Sequence, residues 1–135
     1  MNRKLFAIWL CLIALTAATA RGADETIRWV DYVEGKALAL AQGKTAIVYF
    51  HTEWCPSCRK MEAETFSRPE VIRVINEGFI AIRVNADTHQ DIARAYGVSG
   101  VPDFWLIRPD AAPIGNVTGF IPPNRLLKLL DYHRR

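Results

Sequence analysis

The stretch "TAIVYFHTEWCPSCRKMEAETF", residues 45 to 66, limits the fold more than any other part of the chain. It opens with apolar residues rich in strand formers and lacks the alternation of a half-exposed strand. Such a run reads as a strand covered on both faces, hence as the middle of a sheet with helices on each side. From "CPSC" onward the spacing turns helical, with Cys58, Met61 and Thr65 on one face. A buried strand that enters a helix through a turn carrying two cysteines sets the architecture and locates any chemistry. Those cysteines, Cys55 and Cys58, have three candidate uses: metal ligation, a bracing disulfide, or electron shuttling.

The remaining segments fit the same plan. "IRWVDYVEGKALALAQGK" starts extended and becomes a helix from about Asp31, with Gly43 placed to close it. Pro69 suits the first turn of a helix "PEVIRVINE" that stops near Gly78. "FIAIRVNAD" reads as a second strand, and Asp87 or Thr88 as the cap of a helix "HQDIARAY" ending at Gly97. "DFWLIRP" and "IGNVTGF" flank a turn with Pro109, Asp110 and Pro113, the mark of a hairpin. A last amphipathic helix runs from about Pro123 to Tyr132 on Leu126, Leu127, Leu129 and Leu130. The order implies an α/β fold, a central mixed β-sheet flanked by helices. There is no internal repeat or interdomain linker.

The N-terminus bears on the compartment. Arg3 and Lys4 precede an apolar run from Leu5 to Leu15, and the small residues of "TAATARGA" follow, the order of a secretory signal peptide. The run is too short for a membrane span. Ala18 and Ala20 place the signal at residues 1–20, with cleavage after Ala20 or alternatively Ala23. Residues 21–135 then form a single domain of roughly 115 residues, enough for a real core. Cys11 leaves with the signal, so Cys55 and Cys58 remain in an exported protein, where disulfides persist. The full chain carries 17 Lys+Arg against 14 Asp+Glu, and loss of Arg3 and Lys4 brings the mature charge close to neutral. With no basic block beyond the terminal "HRR", nucleic acid is excluded as a partner.

Metal ligation and bracing are the weaker uses of the pair. A structural zinc needs four ligands, and only His51, His89 and His133 stand by to complete the set, so no metal is expected. A structural disulfide across so short a loop stabilises little in the loop-entropy account. Thiol–disulfide exchange fits better. At a helix N-terminus, Cys55 meets free backbone N–H groups and the positive end of the dipole, which stabilise a thiolate nucleophile. Cys58, one turn further in, is placed to resolve a mixed disulfide. Pro56 fits the first helical turn. No cofactor is implied, because the dithiol itself carries two electrons. Trp54 either contacts a substrate chain or simply packs. Glu62, four residues past Cys58, either handles its proton or is a solvated glutamate near Arg59.

"WCPSC" after a buried strand, "GVSGVP" roughly 45 residues later, and the order of elements between them resemble the thioredoxin superfamily over nearly all of the mature chain. "WCPSCRKMEAETFSRPEVIRVI", "VNAD" and "VTGF" are most similar to exported bacterial thioredoxin-like domains, such as the C-terminal periplasmic domain of the transmembrane electron carrier DsbD. The resemblance implies a thioredoxin fold and a cis Val101–Pro102 bond beside the cysteines. Val101 would dock an extended substrate chain, and Pro102 would support it and keep metal away. Glu62 falls on an acidic position of the DsbD-type domains, which favours its proton role.

Two departures stand out. Tyr49 occupies the place of a buried aspartate, and Asp103 follows the proline where thioredoxins usually have threonine. Asp103 would either repel acidic partners and alter thiolate stability or point to solvent. The resemblance thus implies a periplasmic thiol–disulfide oxidoreductase acting on protein thiols and disulfides. The favoured direction is reduction, supplied by a membrane electron donor of DsbD type. A protein oxidant of the same fold, a copper- or zinc-handling module and a redox-sensitive interaction domain remain the alternatives.

Overall fold

The computed structural model describes residues 24–134, so the signal peptide expected at residues 1–20 lies outside the described residues. The elements in chain order are β1 (Trp29–Val30), α1 (Tyr32–Gln42), β2 (Ala46–His51), α2 (Pro56–Glu64) and α3 (Pro69–Gly78), then β3 (Ile80–Asn85), α4 (Gln90–Ala95), β4 (Asp103–Ile107), β5 (Pro113–Thr118) and α5 (Pro123–His133). The strands form one sheet in the order β1-β3-β2-β4-β5. β3 pairs in parallel with β1 and β2, while β4 runs antiparallel to β2 and β5, giving the mixed sheet that the element order implied.

All six residues of β2 are buried, the reason its sequence lacks alternation. Their side chains divide between two cores, as the two-residue period of a strand requires. Ile47 and Tyr49 join Met61, Phe66, Ile75, Phe104, Leu126 and Leu130 beneath α2, α3 and α5. Val48 and Phe50 join Ala39, Ile82 and Ala93 beneath α1 and α4. Two further contacts pin α2 to the segment entering α5: Thr65 Oγ1 donates to the Ile121 carbonyl at 2.7 Å, and the Ile121 N–H donates to Met61 Sδ at 3.4 Å.

Local signals explain most boundaries. Asp31 caps α1 by accepting the Glu34 N–H at 2.9 Å, and Gly43 closes it at φ 62°, in the left-handed region that glycine enters without a Cβ penalty. The start of α4 differs from expectation. Asn85, at the end of β3, accepts the Asp87 N–H at 2.9 Å, and His89 precedes the helix without a side-chain cap. Neither Asp87 nor Thr88 caps it, because that turn consumes the segment before the helix begins.

Gly35 shows how closely α1 lies on the sheet. A Cβ there would fall against Ile82, 2.6 Å from its Cδ1, and 3.2 Å from Val30 Cγ2. Gly35→Ala should therefore cost about 1–3 kcal/mol of overpacking strain, reduced by up to about 1 kcal/mol of helix propensity. Urea unfolding at neutral pH reads the net loss; an unchanged midpoint would show that α1 moves away freely.

Candidate active site

The end of β2 delivers Thr52–Cys55 to the first turn of α2. Cys55 is the helix N-cap, with extended backbone at φ −78° and ψ 110°, and Pro56 opens the helix. The Cys58 N–H points at Cys55 Sγ from 3.1 Å. Cys55 and Cys58 are joined as a disulfide, with Cα atoms 5.2 Å apart. The sulfur stands where a capping oxygen would and faces the positive end of the helix. Cys55 is almost as buried as Cys58, at 3% against 1% exposure, because the loop before β4 lies over it: Val101 O is 3.5 Å from Cys55 Sγ.

The Val101–Pro102 peptide is cis, and the Pro102 carbonyl accepts the Gly119 N–H at 2.8 Å. This bond ties the loop to the segment after β5, and Pro102 is buried. On the other side of the cysteines Trp54 is 66% exposed, so it does not serve as interior packing. Its indole N–H donates to Asp87 Oδ2 at 2.8 Å, which fixes the ring at the surface. Cys55, Cys58, Trp54, Val101 and Pro102 are thus brought together at one end of the central strands.

Glu62 lies one turn beyond Cys58, but its partner is not Arg59. Arg83 on β3 donates to Glu62 Oε1 at 2.6 Å, whereas Arg59 Nη1 donates to the Glu53 carbonyl at 3.1 Å. No local sequence signal points to Arg83; the parallel register setting Tyr49 beside Arg83 is what brings it there. A cavity of about 350 Å³ opens against this pair and is lined also by Trp29 and Phe66.

Tyr49 is fully buried, its ring edge-on to Phe66 at 4.9 Å. Burial pushes its pKa well above the ordinary tyrosine value; the Glu62 charge adds to the shift and Arg83 opposes it. The hydroxyl stays protonated, so Tyr49 cannot serve as the base that a buried aspartate would be. His51, at the end of β2, stacks on Tyr49 with ring centroids 5.7 Å apart. Burial and then Arg83 push its pKa below the ordinary value, against Glu62, Glu53 and a backbone hydrogen bond.

Among the described residues, no three His, Cys, Asp or Glu side chains cluster in a way that would hold a metal ion. Asp103 does not point to solvent: it is 2% exposed and accepts hydrogen bonds from Trp105, Asn116 and Thr118.

A paired CxxC at a helix N-terminus, against a cis-proline loop, is the equipment of a thiol–disulfide oxidoreductase. A thioredoxin-like domain model matches residues 34–134. The chain is 31% identical over 94 residues to the thiol:disulfide interchange protein DsbD of Neisseria meningitidis serogroup A, covering 67% of this chain and 16% of that protein. The chain therefore spans about a sixth of the length of that relative. Among solved structures, a thioredoxin from Thermus thermophilus superposes with a TM-score of 0.72 at 37% identity, over 79% of this chain and 86% of that one. The oxidised C-terminal domain of Neisseria meningitidis DsbD superposes at 0.62 with 26% identity, over 78% and 97%. The chain belongs to the thioredoxin-like domain family.

The depressed His51 pKa has a thermodynamic consequence. An unfolded histidine, with pKa about 6.5, binds a proton more readily than the folded one, so the stability contribution is complete above that value. It is lost as pH falls through the unfolded pKa toward the folded one. The urea midpoint should drop between about pH 7.5 and 5.5, and less so in His51→Phe. Equal drops in both proteins would remove His51 as the cause.

Proposed function

We propose that the chain works in the periplasm as a reductase of protein disulfides, carried by the Cys55 sulfur, which caps α2 and lies against the Val101 carbonyl. The order of residues 3–20 supports export. Among the described residues, no helix is long and apolar enough to cross a membrane.

In the reduced protein the Cys55 thiolate attacks one sulfur of a substrate disulfide, forming a mixed disulfide and releasing the other substrate sulfur as thiolate. Cys58 then gives up its proton and attacks Cys55 Sγ. The second substrate sulfur leaves, and the Cys55–Cys58 bond closes with two electrons transferred. Glu62, on the same side of α2 as Cys58, takes that proton directly or through water. Trp54 and Val101 hold the extended substrate chain, and Pro102 keeps the Val101 carbonyl in place. The periplasm has no reducing buffer of its own, so the pair needs an upstream donor, here a membrane electron carrier of DsbD type. The similarity to DsbD supports that assignment.

The reduction potential of the pair tests the direction. Incubation of the mature protein in graded thiol buffers, with free thiols counted by alkylation and mass, should give a value near thioredoxin's, about −270 mV. A value near DsbA's, about −120 mV, would reverse the direction, and a pair that forms no reversible disulfide would end the enzyme reading.

Cys58→Ser should trap mixed disulfides through Cys55. Glu62→Gln should slow resolution roughly a hundredfold at neutral pH while leaving the attack by Cys55 nearly intact. Equal slowing of both steps would refute a specific role in resolution.

A further inference from the structure

Resting on that functional reading, we propose that Asp103 is a fixed negative charge that disfavours the Cys55 thiolate and so draws the cysteine pair toward the reducing end of the potential scale. The carboxylate is buried and both its oxygens act as acceptors. Oδ2 takes the Trp105 indole N–H at 2.9 Å, and Oδ1 takes the Asn116 Nδ2–H at 2.9 Å and the Thr118 hydroxyl at 3.1 Å. Every one of these donors is neutral. They satisfy the hydrogen bonds of a carboxylate without cancelling its charge, and no ion pair among the described residues includes Asp103.

The position matters as much as the burial. Asp103 follows Pro102 directly, and the Val101 carbonyl lies 3.5 Å from Cys55 Sγ. At about 3.8 Å between successive Cα atoms, and less across a cis bond, the Asp103 Cα lies within about 7.6 Å of that of Val101. Asp103 and Cys55 are both buried, at 2% and 3% exposure, so solvent screens their charges far less than it would at the surface.

Other charges near the cysteines compensate one another or face water. Glu62 is paired with Arg83. Arg59 rests on the Glu53 carbonyl, Lys60 lies over the Phe120 ring at 4.4 Å, and Asp87 holds Trp54 at the surface. His51, buried and stacked on Tyr49, is held toward its neutral form. Against Asp103 stands the N-terminus of α2, which favours the thiolate. The residues facing Asp103 from β2 and β5 are Phe50, Asn116 and Thr118, none of them titratable.

When a dithiol reduces the pair, the Cys55–Cys58 bond breaks, the donor's two sulfurs join, and its two protons become available to Cys58 and Cys55. Reduction is easier when Cys55 can remain a stabilised thiolate, as strongly oxidising pairs show. A nearby negative charge opposes that thiolate and shifts the equilibrium toward the disulfide, so the reduced pair gives up its electrons more readily.

The test compares Trp105→Phe with the double variant Trp105→Phe/Asp103→Asn, because in Asp103→Asn alone an amide N–H would face the Trp105 N–H. Two quantities are read: the pH midpoint of Cys55 alkylation in the reduced protein, and the equilibrium with dithiothreitol buffers. Neutralising Asp103 should move the alkylation midpoint to lower pH. It should also shift the exchange constant about fivefold toward the dithiol, a rise of about 20 mV at 29.6 mV per tenfold.

A role confined to holding β4 against β5 would lower stability and leave both readings where they were, which overturns the proposal. The alkylation reading needs no turnover. A shifted midpoint in a protein that forms no reversible disulfide would overturn the functional reading and the potential half of this one together.

Discussion

Burial of β2 on both faces is the constraint on which the rest depends. A strand paired in parallel on one side and antiparallel on the other cannot slip by one residue without exchanging its two cores. The exchange would drive Tyr49 into the space of Phe50 and displace the Thr52–Cys55 turn from the end of the central strand. The register of this strand therefore sets where Cys55 meets α2, which neighbour lies beside Tyr49, and where β4 begins. The Val101–Pro102 loop then falls across the sulfur, since β4 pairs with β2 up to Phe50 and the loop immediately precedes β4.

There Cys55 lies between opposed influences. The end of α2 offers the Cys58 N–H and a positive dipole to the sulfur. The Val101 carbonyl presents the negative end of its own dipole from the other side, 3.5 Å away. A thiol can donate to that carbonyl and a thiolate cannot, so the loop favours the protonated or disulfide-bonded sulfur while the helix favours the anion. How reducing the pair is depends on the balance between helix and loop rather than on the CxxC spacing alone.

Much of this was legible in the sequence, and the limits have physical causes. The unbroken apolar run of β2, the caps Asp31 and Gly43, and the Pro residues at the starts of α2, α3 and α5 are local signals, and each element stands close to where they put it. The cysteine pair was legible because spacing and helix position are both local. The Glu62–Arg83 pair was not: its members are 21 residues apart and meet through β2–β3 register, which no local pattern reveals. The sequence leaves Asp103 a choice between solvent and groove, and it does not point to solvent. Three donors on two antiparallel strands bury it, and only the hairpin's pairing brings Asn116 and Thr118 to it. The local signal at Asp87 and Thr88 does not cap α4 because Asn85 and the Asp87 N–H form a turn that competes with capping.

Replacing a buried carboxylate by Tyr49 has a consequence for the whole face beneath α2. A tyrosine adds volume and an aromatic ring, and here it packs with Trp29 at 5.6 Å and Phe66 at 4.9 Å to form an aromatic cluster under the helix. Its raised pKa removes it as a base. The carboxylate beside Cys58 is instead Glu62, at the half-exposed boundary between α2 and β3, where it meets Arg83 and the adjoining cavity. Among the described residues the Tyr49 hydroxyl has no hydrogen-bond partner, so a carboxylate there would lack the three donors that Asp103 has and would cost several kcal/mol, whereas the Glu62–Arg83 position leaves the pair in contact with water. Proton exchange at Cys58, in the proposed reaction, would then run sideways toward solvent past Glu62 rather than downward into the core. The aromatic cluster can accordingly serve stability while the boundary serves the chemistry, a separation that a buried aspartate under the same helix would not permit.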